Sequence, residues 1–73
     1  MSKAEYDRAK FDLKLWRKVG LKRDNFTNIL FYLIAKADPG RKEKLRTVFP
    51  VECQVFDDWH AASSSDEFFE TKP

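Results

Sequence analysis

Apolar residues recur along this chain at helical spacing. Tyr6, Ala9, Leu13 and Trp16 follow an i, i+3, i+7, i+10 pattern and predict a helix over 4–19 with those four on one face. Phe11, Leu15 and Val19 form a second apolar stripe, roughly 140° away at about 100° per residue. A helix with two apolar sides is either wedged between neighbours or offers one side to a partner. Between the stripes, Lys3, Lys10, Lys14 and Arg17 line up as a basic ridge. Lys18 suits the negative end of this helix, and Gly20 followed by Leu21 fits a glycine-terminated stop.

A second helix is predicted over 26–37, capped by Asp24 or Asn25. Phe26, Ile29, Leu30, Leu33, Ile34 and Ala37 cover an arc of about 140° on it. That arc makes it the expected central core helix, with Leu30, Leu33 and Ile34 buried. Asn28, Phe31 and Ala35 lie on the other side, with Tyr32 at the edge. Asp38-Pro39 starts a third, short helix, because Asp caps and a proline at the first position sacrifices no hydrogen bond, although Asp38-Pro39-Gly40 also reads as a turn. Phe49-Pro50 stops it, since a residue before proline is pushed out of the α region. Pro50 opens a fourth helix to about Ala62, with Cys53, Phe56, Trp59 and His60 on one face and Val51 and Val55 on another. Ser63-Ser64-Ser65 is a break, and Ser64 with Glu67 fits a capping box for one last turn bearing Phe68 and Phe69. The alternative for 63–73 is a partly ordered acidic tail.

The expected fold is therefore all-α: a compact bundle of four main helices plus a short C-terminal helical turn, in one domain over 1–73. Seventy-three residues hold one core and no large enclosed active site. At 42% hydrophobic residues the chain is too apolar to be disordered. Its single cysteine, Cys53, excludes an internal disulfide and a multi-cysteine zinc site, which points to a reducing cytoplasm. The charged first ten residues show no signal-peptide pattern, and the longest apolar run, from Ile29 to Ala35, is too short to span a bilayer.

The net charge of +2 hides an asymmetry. Residues 1–46 carry 13 Lys and Arg against 6 Asp and Glu, a balance of +7, whereas residues 47–73 carry one against 6, a balance of −5. Either the acidic part folds near the basic part, or the two form separate surfaces for partners of opposite sign.

Candidate chemistry is sparse. Cys53 and the only histidine, His60, are seven residues apart, roughly 10 Å along a helix and too far for proton transfer. Asp57 and His60 at i, i+3 could pair as a base and its orienter beside Ser63, Ser64 and Ser65, but no nucleophile elbow surrounds them. Cys53, Asp57 and His60 lack a fourth ligand for zinc, and no glycine-rich loop serves phosphate. No enzyme activity, metal or cofactor is expected. Nucleic acid is one partner class: Lys10, Lys14, Arg17, Lys22, Arg23, Arg41, Lys42 and Lys44 could meet phosphates. Against it, the second helix is too apolar for a major groove, and the acidic third would repel DNA. A protein partner is the first expectation. Phe11 and Leu15 flanked by Lys14 and Lys18 form the preferred patch, Asp57, Asp58 and Asp66 with Phe68 or Phe69 a competing one, and Phe31 and Tyr32 are aromatics surplus to a simple amphipathic pattern. Self-association through such a patch is the homo-oligomer variant.

The stretch Ile34-Ala35-Lys36-Ala37-Asp38-Pro39, with Lys44-Leu45, Val48-Phe49-Pro50, Val55 and Trp59, resembles small uncharacterised proteins of bacteriophages and mobile elements. In these an Ala-Asp-Pro helix start is followed by a Leu, a Phe-Pro break, an aliphatic and an aromatic. Gly40 stands where that pattern often has a polar residue. The resemblance covers residues 34–60 and implies no activity. It implies a phage or mobile-element accessory or regulatory factor, of the kind that binds and redirects a host protein.

Overall fold

A computed structural model describes residues 2–19 and 25–70. Five helices follow one another: α1 (Lys3–Val19), α2 (Phe26–Lys36), α3 (Pro39–Val48), α4 (Pro50–Ala61) and α5 (Ser65–Glu70). No strand occurs among the described residues. The all-α expectation and its helix order hold, with boundaries moved by a residue at most. Asn25 caps α2 by accepting from the Asn28 backbone N–H at 2.9 Å. Asp38 caps α3 through the Arg41 N–H at 2.8 Å, with Pro39 at the first position. Phe49 ends α3 and precedes α4, held at φ −126°, ψ 63° by the proline after it. Ser64 Oγ accepts from the Glu67 N–H at 3.0 Å, the first half of the expected capping box. The predicted stop at Gly20-Leu21 lies outside the described residues.

The centre of the bundle is α4, which packs against α1, α2 and α3. Val51, Cys53, Val55 and Phe56 of α4 are buried with Ala9 and Leu13 of α1 and Leu30, Phe31 and Ile34 of α2. This corrects the expectation that α2 would be central. It also corrects which side of α2 faces in. Leu30 and Ile34 are buried as expected, but Leu33 is 53% exposed and Phe31 is completely buried. The buried face is turned by roughly 100° from the one that periodicity favours. The reason is packing: Phe31 meets Trp16 of α1, ring centroids 6.3 Å apart, and Trp16 in turn meets Phe56 at 6.4 Å. Burying the larger ring in that aromatic layer outweighs covering a wider aliphatic arc.

Polar contacts fix how the helices meet. Tyr6 Oη donates to Asp58 at 2.5 Å, tying α1 to α4. Burial, then the hydrogen bond to this carboxylate, raises the Tyr6 phenol above its ordinary range. Lys42 and Arg46 of α3 both donate to Asp57 of α4. Burial pushes the Asp57 carboxyl upward, but those two cations outweigh it and hold it below the usual carboxylate value. The short acidic α5 lies on the basic α1. Lys10 sits 4.5 Å from the Phe68 ring centre, and Arg17 faces Trp59 and Phe69 at 5.4 and 5.3 Å. The charge asymmetry is thus partly settled within the chain.

Candidate functional site

The turned α2 leaves an apolar side uncovered. Phe26, Ile29 and Leu33 recur at i, i+3, i+7 and are 68%, 42% and 53% exposed. Their stripe faces α3. Only Ala37 and Asp38 separate the two helices, and both have extended backbone, so the chain turns back at once. Yet α3 packs closely on α4 and not along α2. The gap is a groove in two adjoining parts that share Leu33 and Leu45. One, of about 260 Å³, is walled by Phe26, Ile29, Leu30 and Phe49, where the Phe26 and Phe49 rings meet at 5.7 Å. The other, of about 370 Å³, continues past Ala37 and is edged by Lys36, Arg41 and Lys44.

The rim is basic. On α3, Arg41, Lys44 and Leu45 share the groove side by helical spacing, while Lys42 and Arg46 turn to Asp57. Arg41 lies 3.7 Å from Asp38, an exposed pair of little energy. Lys36 faces the Tyr32 ring at 5.7 Å. Among the described residues neither Lys36 nor Lys44 makes an ion pair.

The preferred sequence candidates lie elsewhere. Phe11 is 62% exposed on α1 beside exposed Lys14 and Lys18, with Leu15 half-buried. The second α1 stripe is therefore half-covered and not wedged. Phe31 is withdrawn from any surface by its burial, a correction, and Tyr32 is half-buried. Asp57 is taken up by Lys42 and Arg46, and Asp58 by Tyr6 and by Gln54 at 2.8 Å. Neither forms a free acidic patch. Phe68 and Phe69 pack against the core. The nucleic-acid candidates are divided: Lys10 and Arg17 face aromatic rings beside α5, Lys14 is exposed on α1, Lys42 serves Asp57, and Arg41 and Lys44 rim the groove. Lys22 and Arg23 lie outside the described residues.

The Asp57–His60 pair that the i, i+3 spacing allows does not form, because Asp57 turns to α3. The exposed His60 ring instead rests against Phe56 and Trp59 at 4.7 and 5.0 Å. Cys53 is buried, and burial raises its thiol pKa, leaving it a poor nucleophile. Among the described residues no cluster of three His, Cys, Asp or Glu side chains could hold a metal ion, and no helix is long and apolar enough to cross a membrane.

Apolar periodicity places Phe26, Ile29 and Leu33 in the core and gives Lys36 no role. The available signal was that α2 is apolar on nearly every side, so one side must stay uncovered in so small a bundle. Compared with protein families, curated proteins and solved structures, the chain finds no match.

Proposed function

We propose that this is a small, non-enzymatic, protein-binding accessory or regulatory factor. The observation that carries this reading is the open apolar groove between α2 and α3, floored by Leu33 and Leu45. Contiguous apolar surface rimmed by charge is what an interface centre requires. The groove is open, and its lining is apolar apart from Lys36, Arg41 and Lys44, with no Ser, Cys, His or carboxylate beside them, which favours binding over catalysis. The resemblance to phage and mobile-element proteins agrees with a factor that acts on a host protein. Nucleic acid is the less favoured partner, because Lys10 and Arg17 of the ridge are engaged with the Phe68 and Phe69 rings of α5.

A random-peptide selection with the purified protein as bait tests this reading. Peptides enriched on the wild type and lost on a folded Leu33→Asp variant are the expected result. No enrichment, together with tight duplex DNA or RNA binding that charge reversal at Lys14 and Arg17 abolishes, overturns it.

A further inference from the structure

Resting on the protein-binding reading, we propose that the α2–α3 groove takes a short amphipathic helix whose apolar stripe is flanked by acidic residues. The shape of the groove sets the secondary structure of its occupant. Its floor runs beside α2, whose 11 residues span about 16 Å at 1.5 Å per residue. Phe26, Ile29 and Leu33 are spaced as successive turns on one helical face. A helix of about three turns, with apolar side chains at i, i+3 or i+4, and i+7, matches that length and spacing. It also satisfies its own backbone, whereas no sheet edge exists among the described residues to pair with an extended strand.

The charge of the rim sets the flanking residues. Lys36, Arg41 and Lys44 stand around the half of the groove that Leu33 and Leu45 floor. Lys36 and Lys44 make no ion pair among the described residues, Lys36 facing only the Tyr32 ring, so carboxylates on the incoming helix meet cations that need not leave another carboxylate. Carboxylates near the first turn of that helix also suit its own dipole. A second copy of this chain is disfavoured on the same ground. A two-fold contact sets the patch against itself, bringing Lys36, Arg41 and Lys44 towards their own copies. The acidic α5 of another copy is no better supply, because its Phe68 and Phe69 are already packed on their own core. A nucleic-acid backbone would meet the cations but leave Phe26, Ile29 and Leu33 uncovered.

The test uses three fluorescein-labelled peptides of about 14 residues. The first carries Leu or Phe at i, i+3, i+7 and i+10 with Glu and Ala elsewhere. The second has Lys in place of Glu, and the third has the composition of the first with its apolar positions scrambled. Fluorescence anisotropy against the full chain is expected to show binding of the acidic amphipathic peptide, at least tenfold weaker binding of the other two, and weakening with added salt. Leu33→Asp is expected to cost the acidic peptide at least tenfold, and Lys36→Glu with Lys44→Glu about tenfold, with circular dichroism confirming that the variants fold. Equal or tighter binding of the lysine peptide overturns the acidic partner and leaves the protein-binding reading standing. So does failure of all three peptides at millimolar concentration while selected peptides of another kind still depend on Leu33. Sedimentation that shows a dimer abolished by Leu33→Asp also overturns the acidic partner, since the occupant is then a second copy. If no peptide binds and selection on the wild type enriches nothing, both readings fall.

Discussion

Truncating Phe31 and Leu33 in turn separates the observed seating of α2 from the one its apolar periodicity favours. Phe31 is wholly enclosed, whereas more than half of Leu33 is open to water. A buried phenylalanine removes roughly 150–250 Å² from solvent, which at about 25 cal/mol per Å² is an upper limit of roughly 4–6 kcal/mol. The cavity left by Phe31→Ala is closed in by Trp16 and the α4 core, so a cost of about 3–5 kcal/mol is expected. Full burial of a leucine is worth about 1.5–3 kcal/mol, and Leu33 has less than half of that cover. Its truncation leaves no sealed cavity, because the groove is open, so Leu33→Ala is expected to cost about 1 kcal/mol or less. A domain of this length has a total stability of roughly 4–11 kcal/mol, so the first variant loses about a quarter of it at the least and the second about a quarter at the most. Urea denaturation followed by circular dichroism, with midpoint and slope fitted together, measures both. A Leu33→Ala variant that loses as much as Phe31→Ala would refute the seating of α2, and with it the groove.

Three further outcomes follow from the same packing. The Asp57 carboxyl is held below its unfolded value, so its contribution to stability is complete above about pH 5 and is lost as pH falls through the lowered folded pKa. Asp57→Asn should therefore be less stable than wild type at pH 7 and show a flatter loss between about pH 5 and pH 2 in acid titrations of the denaturation midpoint, and parallel curves would speak against the pairing with Lys42 and Arg46. Arg17→Ala removes the cation facing Trp59 and Phe69; faster amide exchange over 65–70 with a global change of about 1 kcal/mol or less is expected, and unchanged protection would contradict the docking of α5. Cys53 should react with a thiol reagent far more slowly in the native protein than in urea, and equal rates would show that its burial is wrong.

The helices and their ends were legible in the sequence because they are local. Asp38-Pro39, Phe49-Pro50 and Ser64 with Glu67 act through hydrogen bonds and steric clashes within about four residues, and each punctuates the chain where the structure has its boundary. The inward stripe of α1 was equally legible, because polar residues border Tyr6, Ala9, Leu13 and Trp16 on both sides. The seating of α2 was not, because Phe26, Ile29, Leu30, Phe31, Leu33 and Ile34 offer apolar surface in several directions and periodicity ranks them only by the width of the arc. Which direction faces inward is decided by contacts far apart in the chain, Trp16 with Phe31 and with Phe56, and by α4 rather than α2 occupying the centre. The candidate groove inherits that ambiguity. Its residues were visible in the sequence as core, and they became a surface only because the aromatic layer between α1, α2 and α4 claimed the other side of the helix while Asp57 drew α3 onto α4.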